Sequence, residues 1–190
     1  MNGKQLCFVK KTLLFLVVLF PAAGFSEGYV RTIRTFEVPP CVLMDQNGAP
    51  VSLPSIMRRN KPIILDFIYT SCRSVCPLQS ANFANMQYRL KGETEKPRLI
   101  SITIAPGRDN ASVTREYLKR FRAEPGWDFL TGSPECIAAF MNAFSRYTKK
   151  KMGYFPLVFI YVPAQGRWIQ MEGFVNAVGL IEEFRKAKGK

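Results

Sequence analysis

Ile63-Ile64-Leu65-Asp66-Phe67-Ile68-Tyr69-Thr70-Ser71-Cys72-Arg73-Ser74-Val75-Cys76-Pro77 is the stretch on which the fold turns. From Ile63 to Tyr69 it is apolar or aromatic apart from Asp66, the composition of a central strand covered on both faces. Cys72 to Cys76 sits where that strand gives way to a helix carrying Leu78, Phe83, Met86, Tyr88 and Leu90, with Gly92 as its terminator. The chain contains no histidine. Sulfur is therefore the main candidate for reactivity, and any metal or redox chemistry has to proceed without imidazole.

The Cys-x-x-x-Cys spacing lets the two sulfurs approach each other, and the amides of the first helical turn favour thiolate over thiol. Cys72, just before the helix, reads as the nucleophile and Cys76, one turn on, as the resolving partner. Arg73 adds a neighbouring positive charge that favours the Cys72 thiolate. The same two thiolates suit Cu(I), a soft ion content with nearly linear coordination. The competing reading is a structural disulfide or an inert buried pair. Asp66 falls on the same side of its strand as Ile64 and Ile68, where desolvation raises a carboxyl pKa and equips it to take the Cys76 proton. An aspartate at a sheet margin, satisfied by a lysine such as Lys61, is the alternative.

Outward from this core, Cys41-Val42-Leu43-Met44 and Val51-Ser52-Leu53 read as two short strands joined by the Asn47-Gly48 turn. Leu99 to Ile104 is the second interior strand, with Ala105 to Asp109 as its exit loop. Asn110 or Ser112 caps a helix with Val113, Tyr117, Leu118 and Phe121 on one face. Trp127 to Leu130 makes a short strand, and Ser133-Pro134 opens a helix with Ile137, Phe140, Met141, Phe144 and Tyr147 at core spacing. Pro156 introduces the strand Leu157 to Val162, which turns through Pro163-Ala164-Gln165-Gly166 into Arg167 to Met171, and a last helix begins near Asn176. This order predicts an α/β domain, a mixed sheet with helices on both faces.

The first 26 residues read as an export signal: Lys4, Lys10 and Lys11, then an apolar run from Leu13 to Phe20, then small residues suited to cleavage after Ser26. The run is shorter than the ~20 residues a bilayer span needs, so cleavage is expected, with retention as a membrane anchor the alternative. Cys7 would leave with the signal. Residues 27–190 then form one domain, in a periplasmic or other extracytoplasmic setting where disulfides persist. They carry 24 basic and 14 acidic residues, a formal +10, which favours an acidic protein or an anionic membrane surface. No nucleic-acid recognition motif is present, and nucleic acid is not an expected partner.

Tyr69 to Pro77, together with Phe129-Leu130-Thr131-Gly132-Ser133-Pro134-Glu135 and the Gly166 hairpin, resembles the Sco/SenC family from about Asp45 to the terminal helix. The resemblance implies a thioredoxin-like fold with an N-terminal β-hairpin. It also implies a role in assembling the copper centre of cytochrome c oxidase, by carrying copper or by reducing cysteines of the copper-receiving subunit. Cys72 and Cys76 match the family's redox-active, copper-binding cysteines. The family's third ligand, a histidine, is missing from the matching Gly153-Tyr154-Phe155-Pro156, and Met152 offers only a thioether. Its acidic residue after the second strand is replaced by Ala105.

Two features resemble ordinary thioredoxins instead: Asp66, six residues before the first cysteine, and Phe155-Pro156 at the cis-proline position. A cis proline there would leave the preceding backbone free to pair with an extended client; as a bare feature of sequence, Pro156 is an entry residue. Cys41 and Cys136 lie in noncatalytic segments of the family, and a mutual disulfide, separate core positions and an electron relay all remain open. Without histidine, Cu(II) binding suffers more than Cu(I) binding. The expectation is an exported thiol-disulfide reductase that needs no cofactor and acts on a protein disulfide, with Cys72, Cys76, Asp66 and Pro156 as catalytic residues. The alternatives are a Cu(I) metallochaperone holding the ion through Cys72 and Cys76, and a noncatalytic assembly factor docking by its basic surface.

Overall fold

The computed structural model describes residues 28–145 and 156–188. The segment read as an export signal, with Cys7, and the positions of Tyr147, Met152, Tyr154 and Phe155 lie outside the described residues. Six strands form one mixed sheet: β1 (Tyr29–Arg34), β4 (Ile63–Ile68), β5 (Arg98–Thr103), β6 (Trp127–Leu130), β7 (Leu157–Val162) and β8 (Arg167–Gly173). Their spatial order is β1-β8-β7-β4-β5-β6. The β4-β5 and β5-β6 pairs are parallel, whereas β7 pairs antiparallel with both β4 and β8, and β1 antiparallel with β8. A separate hairpin joins β2 (Leu43–Met44) to β3 (Pro50–Val51). In its turn, Asp45 accepts from the amides of Asn47 and Ala49, and Gly48 takes φ +82°, a left-handed conformation that favours glycine.

Every residue of β4 and of β7 is buried. Alternation along them divides the core into two layers. On one face Ile64, Ile68, Val158 and Ile160 pack with helices α2 (Val75–Arg89), α3 (Ala111–Arg120) and α5 (Ala177–Ala187). On the other, Ile63, Leu65, Phe67 and Phe159 pack with α1 (Leu53–Met57) and α4 (Pro134–Ser145). This second layer is rich in rings: Phe144 lies edge-on to Phe159 and Trp168 with centroids 5.1 Å apart in both cases, a geometry worth about 1 kcal/mol per pair beyond burial.

The expected alternation of strands and helices is present, and the fold is thioredoxin-like with the β2-β3 hairpin ahead of its central sheet. Two local expectations are corrected. Leu53 belongs to a helix and not to a strand, because Ser52 caps α1 by accepting from the Ser55 amide and Pro54 is compatible with the first helical turn. β1 was not foreseen, since its half-exposed Tyr-Val-Arg-Thr-Ile-Arg pattern lacks a continuous apolar signature; it is a strand because β8 offers it a sheet edge. Among the described residues no helix is long and apolar enough to cross a membrane.

Candidate functional site

β4, β5 and β6 all end at one edge of the sheet, where β7 also begins, so the thiol turn, the Ala105–Asp109 loop and Pro156 gather at the same pole. Ligands commonly meet open α/β sheets at these carboxyl ends. Ser74 occupies the N-cap position of α2, but its side chain makes no capping bond. Cys72 supplies an acceptor instead, the Cys76 amide lying 3.4 Å from Cys72 Sγ, with Ser74 Oγ at 3.7 Å. A sulfur in the capping position meets the positive end of the helix, which stabilises it as thiolate.

Both cysteines are free and largely buried, Cys72 at 6% and Cys76 at 2% exposure. Their acidities diverge. Burial pushes the Cys72 thiol up, but hydrogen bonds from the Cys76 thiol, the Ser74 and Cys76 amides and the Ser74 hydroxyl outweigh it, bringing the pKa from 9.0 down to about 7. Arg73 is exposed and contributes nothing resolved, so the expected charge effect gives way to hydrogen bonding. Burial drives Cys76 strongly upward, reinforced by its hydrogen bond to Cys72 and by the negative charges of Cys72 and Asp66, while the Tyr69 backbone opposes the rise.

Asp66 is fully buried on the face that carries Ile64, Ile68, Cys72 and Cys76. Neither of its carboxylate oxygens has a hydrogen-bond partner, and Lys61 is an exposed residue before the strand, so the sheet-margin alternative is excluded. Desolvation lifts its pKa from 3.8 to about 7. Ser101, its register partner on β5, opposes the rise without cancelling it, and its hydroxyl oxygen accepts from Trp127 Nε1 at 3.1 Å. A carboxyl half-ionised near neutrality, whose charge raises the reluctant Cys76 thiol, is suited to relaying that thiol's proton.

Pro156 is buried at the entry to β7, and its carbonyl accepts from the Gly173 amide at 3.0 Å. The next carbonyl, Leu157 O, accepts from Gln79 Nε2 at 3.3 Å. Gln79 lies three positions past Cys76, so this bond holds the β7 entry against the first turns of α2 and brings Pro156 to the cysteine pole. The isomer of the Phe155-Pro156 bond rests on Phe155, outside the described residues.

Two groups escaped the sequence reading. Asp109, fully buried, accepts from the Thr70 amide at 3.1 Å, Thr70 Oγ1 at 2.5 Å and Thr103 Oγ1 at 2.6 Å, tying the exit loop of β5 to the residues just before Cys72. Its only signal in sequence was an acid close after a strand that ends in threonine. Tyr117 bonds Ser80, one turn past Cys76, at 2.8 Å; burial raises the phenol pKa, and the charges of Asp66 and Cys76 add to the rise. Cys41 and Cys136 form a disulfide with Cα atoms 6.1 Å apart. They lie in the layer with α4, across the sheet from Cys72 and Cys76, which resolves the earlier alternatives in favour of a crosslink and removes a direct relay.

Among the described residues no group of three or more Cys, Asp or Glu side chains is arranged to hold a metal ion. As a donor set, the two cysteines would fit Cu(I), with Cys76 releasing its proton to solvent on binding, and do not fit Cu(II), which prefers nitrogen or oxygen ligands.

Comparison with known proteins agrees with this arrangement. A SCO1 protein homolog of Bacillus subtilis is 32% identical over 141 residues, 73% of this chain and 72% of that protein. The solved structure of BsSco, a member of the Sco family of cytochrome c oxidase assembly proteins in which a disulfide switch was identified, superposes with a TM-score of 0.68 at 26% identity, covering 83% of this chain and 96% of that one. Bradyrhizobium japonicum ScoI with copper bound matches at a TM-score of 0.54 and 26% identity, over 68% of this chain and 84% of that one. The SCO1/SenC family profile matches residues 33–154, and the chain belongs to that family.

Proposed function

We propose that this protein is an exported thiol-disulfide reductase that acts on a protein disulfide during copper-centre assembly, as the setting of its relatives suggests. The observation that carries the reading is the divergence of the two thiols: Cys72, with a pKa near 7, is poised to attack, and Cys76 beside it holds its proton. Cys72 thiolate attacks one sulfur of the client disulfide, whose S–S bond breaks and leaves a client thiolate and a mixed disulfide. Cys76 then passes its proton to the Asp66 carboxylate and attacks Cys72 Sγ. The Cys72-Cys76 disulfide forms, the second client thiolate departs, and two electrons have moved to the client. An external dithiol donor restores the reduced pair. Pro156, held at the same pole, is the residue beside which the client chain runs.

Trapping tests this directly. Cys76→Ser is expected to accumulate an adduct through Cys72 with a disulfide-bonded client such as an oxidised copper-receiving oxidase domain, and Cys72→Ser is expected to form none. Absence of any adduct, with no client reduction by the unmodified protein, would refute the reading.

A second reading, delivery of Cu(I) as cargo, is favoured by the donor set and by the copper-bound relative. Anaerobic titration of the reduced protein decides it: one tightly held Cu(I) per chain, lost in either cysteine variant, supports delivery, whereas weak binding indifferent to the cysteines excludes it. Normal oxidase assembly by the double Cys72→Ser, Cys76→Ser variant would instead indicate a noncatalytic docking factor.

A further inference from the structure

We infer that the client presents its disulfide on an extended segment that carries apolar side chains beside a cysteine and a net negative charge, and that this segment lies over Leu78, Phe174 and Val178. The inference rests on the reductase reading above, because attack by Cys72 necessarily places the client over this pole.

The apolar part comes from three exposed side chains where burial would be ordinary: Leu78 at 52%, Phe174 at 45% and Val178 at 44%. Hydrogen bonds locate them. Gln79, next to Leu78, donates to Leu157 O, and Gly173, next to Phe174, donates to Pro156 O, so Leu78 and Phe174 flank the Pro156-Leu157 entry from two sides. Asn82, one turn after Leu78 on α2, donates to Val175 O at 3.0 Å. Further along the same two helices, Arg89 of α2 shares a cleft with Val178, Glu182 and Arg185 of α5. The helices therefore run side by side in the same direction, with Leu78 and Phe174 at the β7 entry and Val178 four positions beyond Phe174, on the side towards Arg89. Exposed apolar side chains grouped on the pole that carries a reactive thiol mark a contact site.

The charge preference comes from the turns on either side of Cys72. Between Tyr69 and Pro77 the exposed charge is Arg73, and between Ile104 and Asp109 it is Arg108. Asp109, the one acid in these two turns, is buried and spent on Thr70 and Thr103. An approaching segment thus meets two cations in the turns around Cys72 and apolar side chains beyond them, on a domain whose residues 27–190 carry a formal +10. Acidic clients are steered in, and basic ones are repelled.

The test uses the reduced protein in single turnover under anaerobic conditions. Two synthetic peptides of equal length with the same internal disulfide are compared, one with Leu, Phe and Glu around the cysteines and one with Ser and Lys. The apolar acidic peptide is expected to react at least ~10-fold faster, the discrimination that one or two apolar contacts provide. In Leu78→Ser, Phe174→Ser that ratio is expected to fall to roughly 2, and in Arg73→Glu, Arg108→Glu to fall by a similar factor with loss of its salt dependence. Equal rates for the two peptides in the unmodified protein, or a ratio that both double variants leave in place, would overturn the inference. Reaction with neutral 4,4′-dipyridyl disulfide separates the two layers of argument. If it proceeds through Cys72 while the peptides are not distinguished, the docking surface is wrong and the reductase reading stands; if it too is absent, both fall.

Discussion

Two cysteine pairs sit on opposite faces of one sheet and have opposite fates. Cys41 and Cys136, 95 positions apart, are joined across the layer that holds α4, between a loop before β2 and the first turn of a helix. Cys72 and Cys76, four positions apart, are not joined to each other at the start of α2. Cys136 is buried like Cys72 and Cys76, and Cys41 is partly buried, so burial alone does not separate the pairs. What differs is the polar neighbourhood. In the free pair burial raises Cys76, with a desolvated carboxylate adding to the rise, while helix amides and a hydroxyl bring Cys72 down, and the two pKa values move apart. A crosslink is useful for what it denies the unfolded chain, whereas a redox pair is useful for the asymmetry between its sulfurs.

The largest effect that could break this comparison is on reactivity. Cys72→Ser is expected to reduce the rate of client disulfide reduction by at least ~1000-fold, since no other nucleophile replaces a thiolate. The double variant Cys41→Ser, Cys136→Ser should stay within about twofold of the parent rate while its urea midpoint falls by the equivalent of about 2 to 5 kcal/mol. Stopped-flow kinetics and equilibrium unfolding check the two halves, and a crosslink variant that lost activity while folded would dissolve the distinction.

Asp66 sharpens the comparison next. Its pKa is raised in the folded state, from 3.8 to about 7, so the native protein binds the proton more tightly than the unfolded chain does. Its burial is therefore tolerated below pH 4 and becomes destabilising as pH rises from about 4 to 7, levelling off above. At ~1.4 kcal/mol per pH unit the full penalty is about 4 kcal/mol. Asp66→Asn is expected to recover most of that at pH 8 and little at pH 4 in unfolding titrations, and to slow the resolving step while leaving the first attack in place. Equal stabilisation at both pH values would contradict an ionised buried carboxylate.

The smallest effect concerns the origin of the Cys72 acidity. Alkylation of reduced protein is expected to rise with pH around a midpoint of about 7. Ser74→Ala should move that midpoint up by roughly half a unit through loss of the hydroxyl contact, and Arg73→Gln by no more than ~0.3, because an exposed charge is screened by solvent. The reverse ranking would return the effect to long-range charge.

Much of this arrangement was legible in the sequence where the signals are local. The uninterrupted apolar run from Ile63 marked β4, the one-turn spacing of Cys72 and Cys76 marked the helix start, and Asp66 stood out against its strand. Asp109 did not stand out, because an acid in an exit loop reads as solvated until Thr70 and Thr103 are brought to it from two different strands. Gln79 read as an ordinary helical residue until Leu157 arrived against it. The acidity of Cys72 and the part played by the helix amides were legible, but the further contribution expected of Arg73 was not realised, since adjacency in sequence says nothing of which way a side chain points.

Sequence alone thus determined the order of strands and helices from β4 onward, the placing of the Cys72-Cys76 pair at a helix start and the lack of any imidazole, because periodicity, turn residues and side-chain inventory are properties of short stretches of chain. The tertiary structure decided the pairing of Cys41 with Cys136, the capture of β1 by β8, the Asp109 tie and the grouping of exposed apolar side chains near Pro156. Each of these depends on distances between residues remote in the chain, which only the packing of two core layers against one sheet sets.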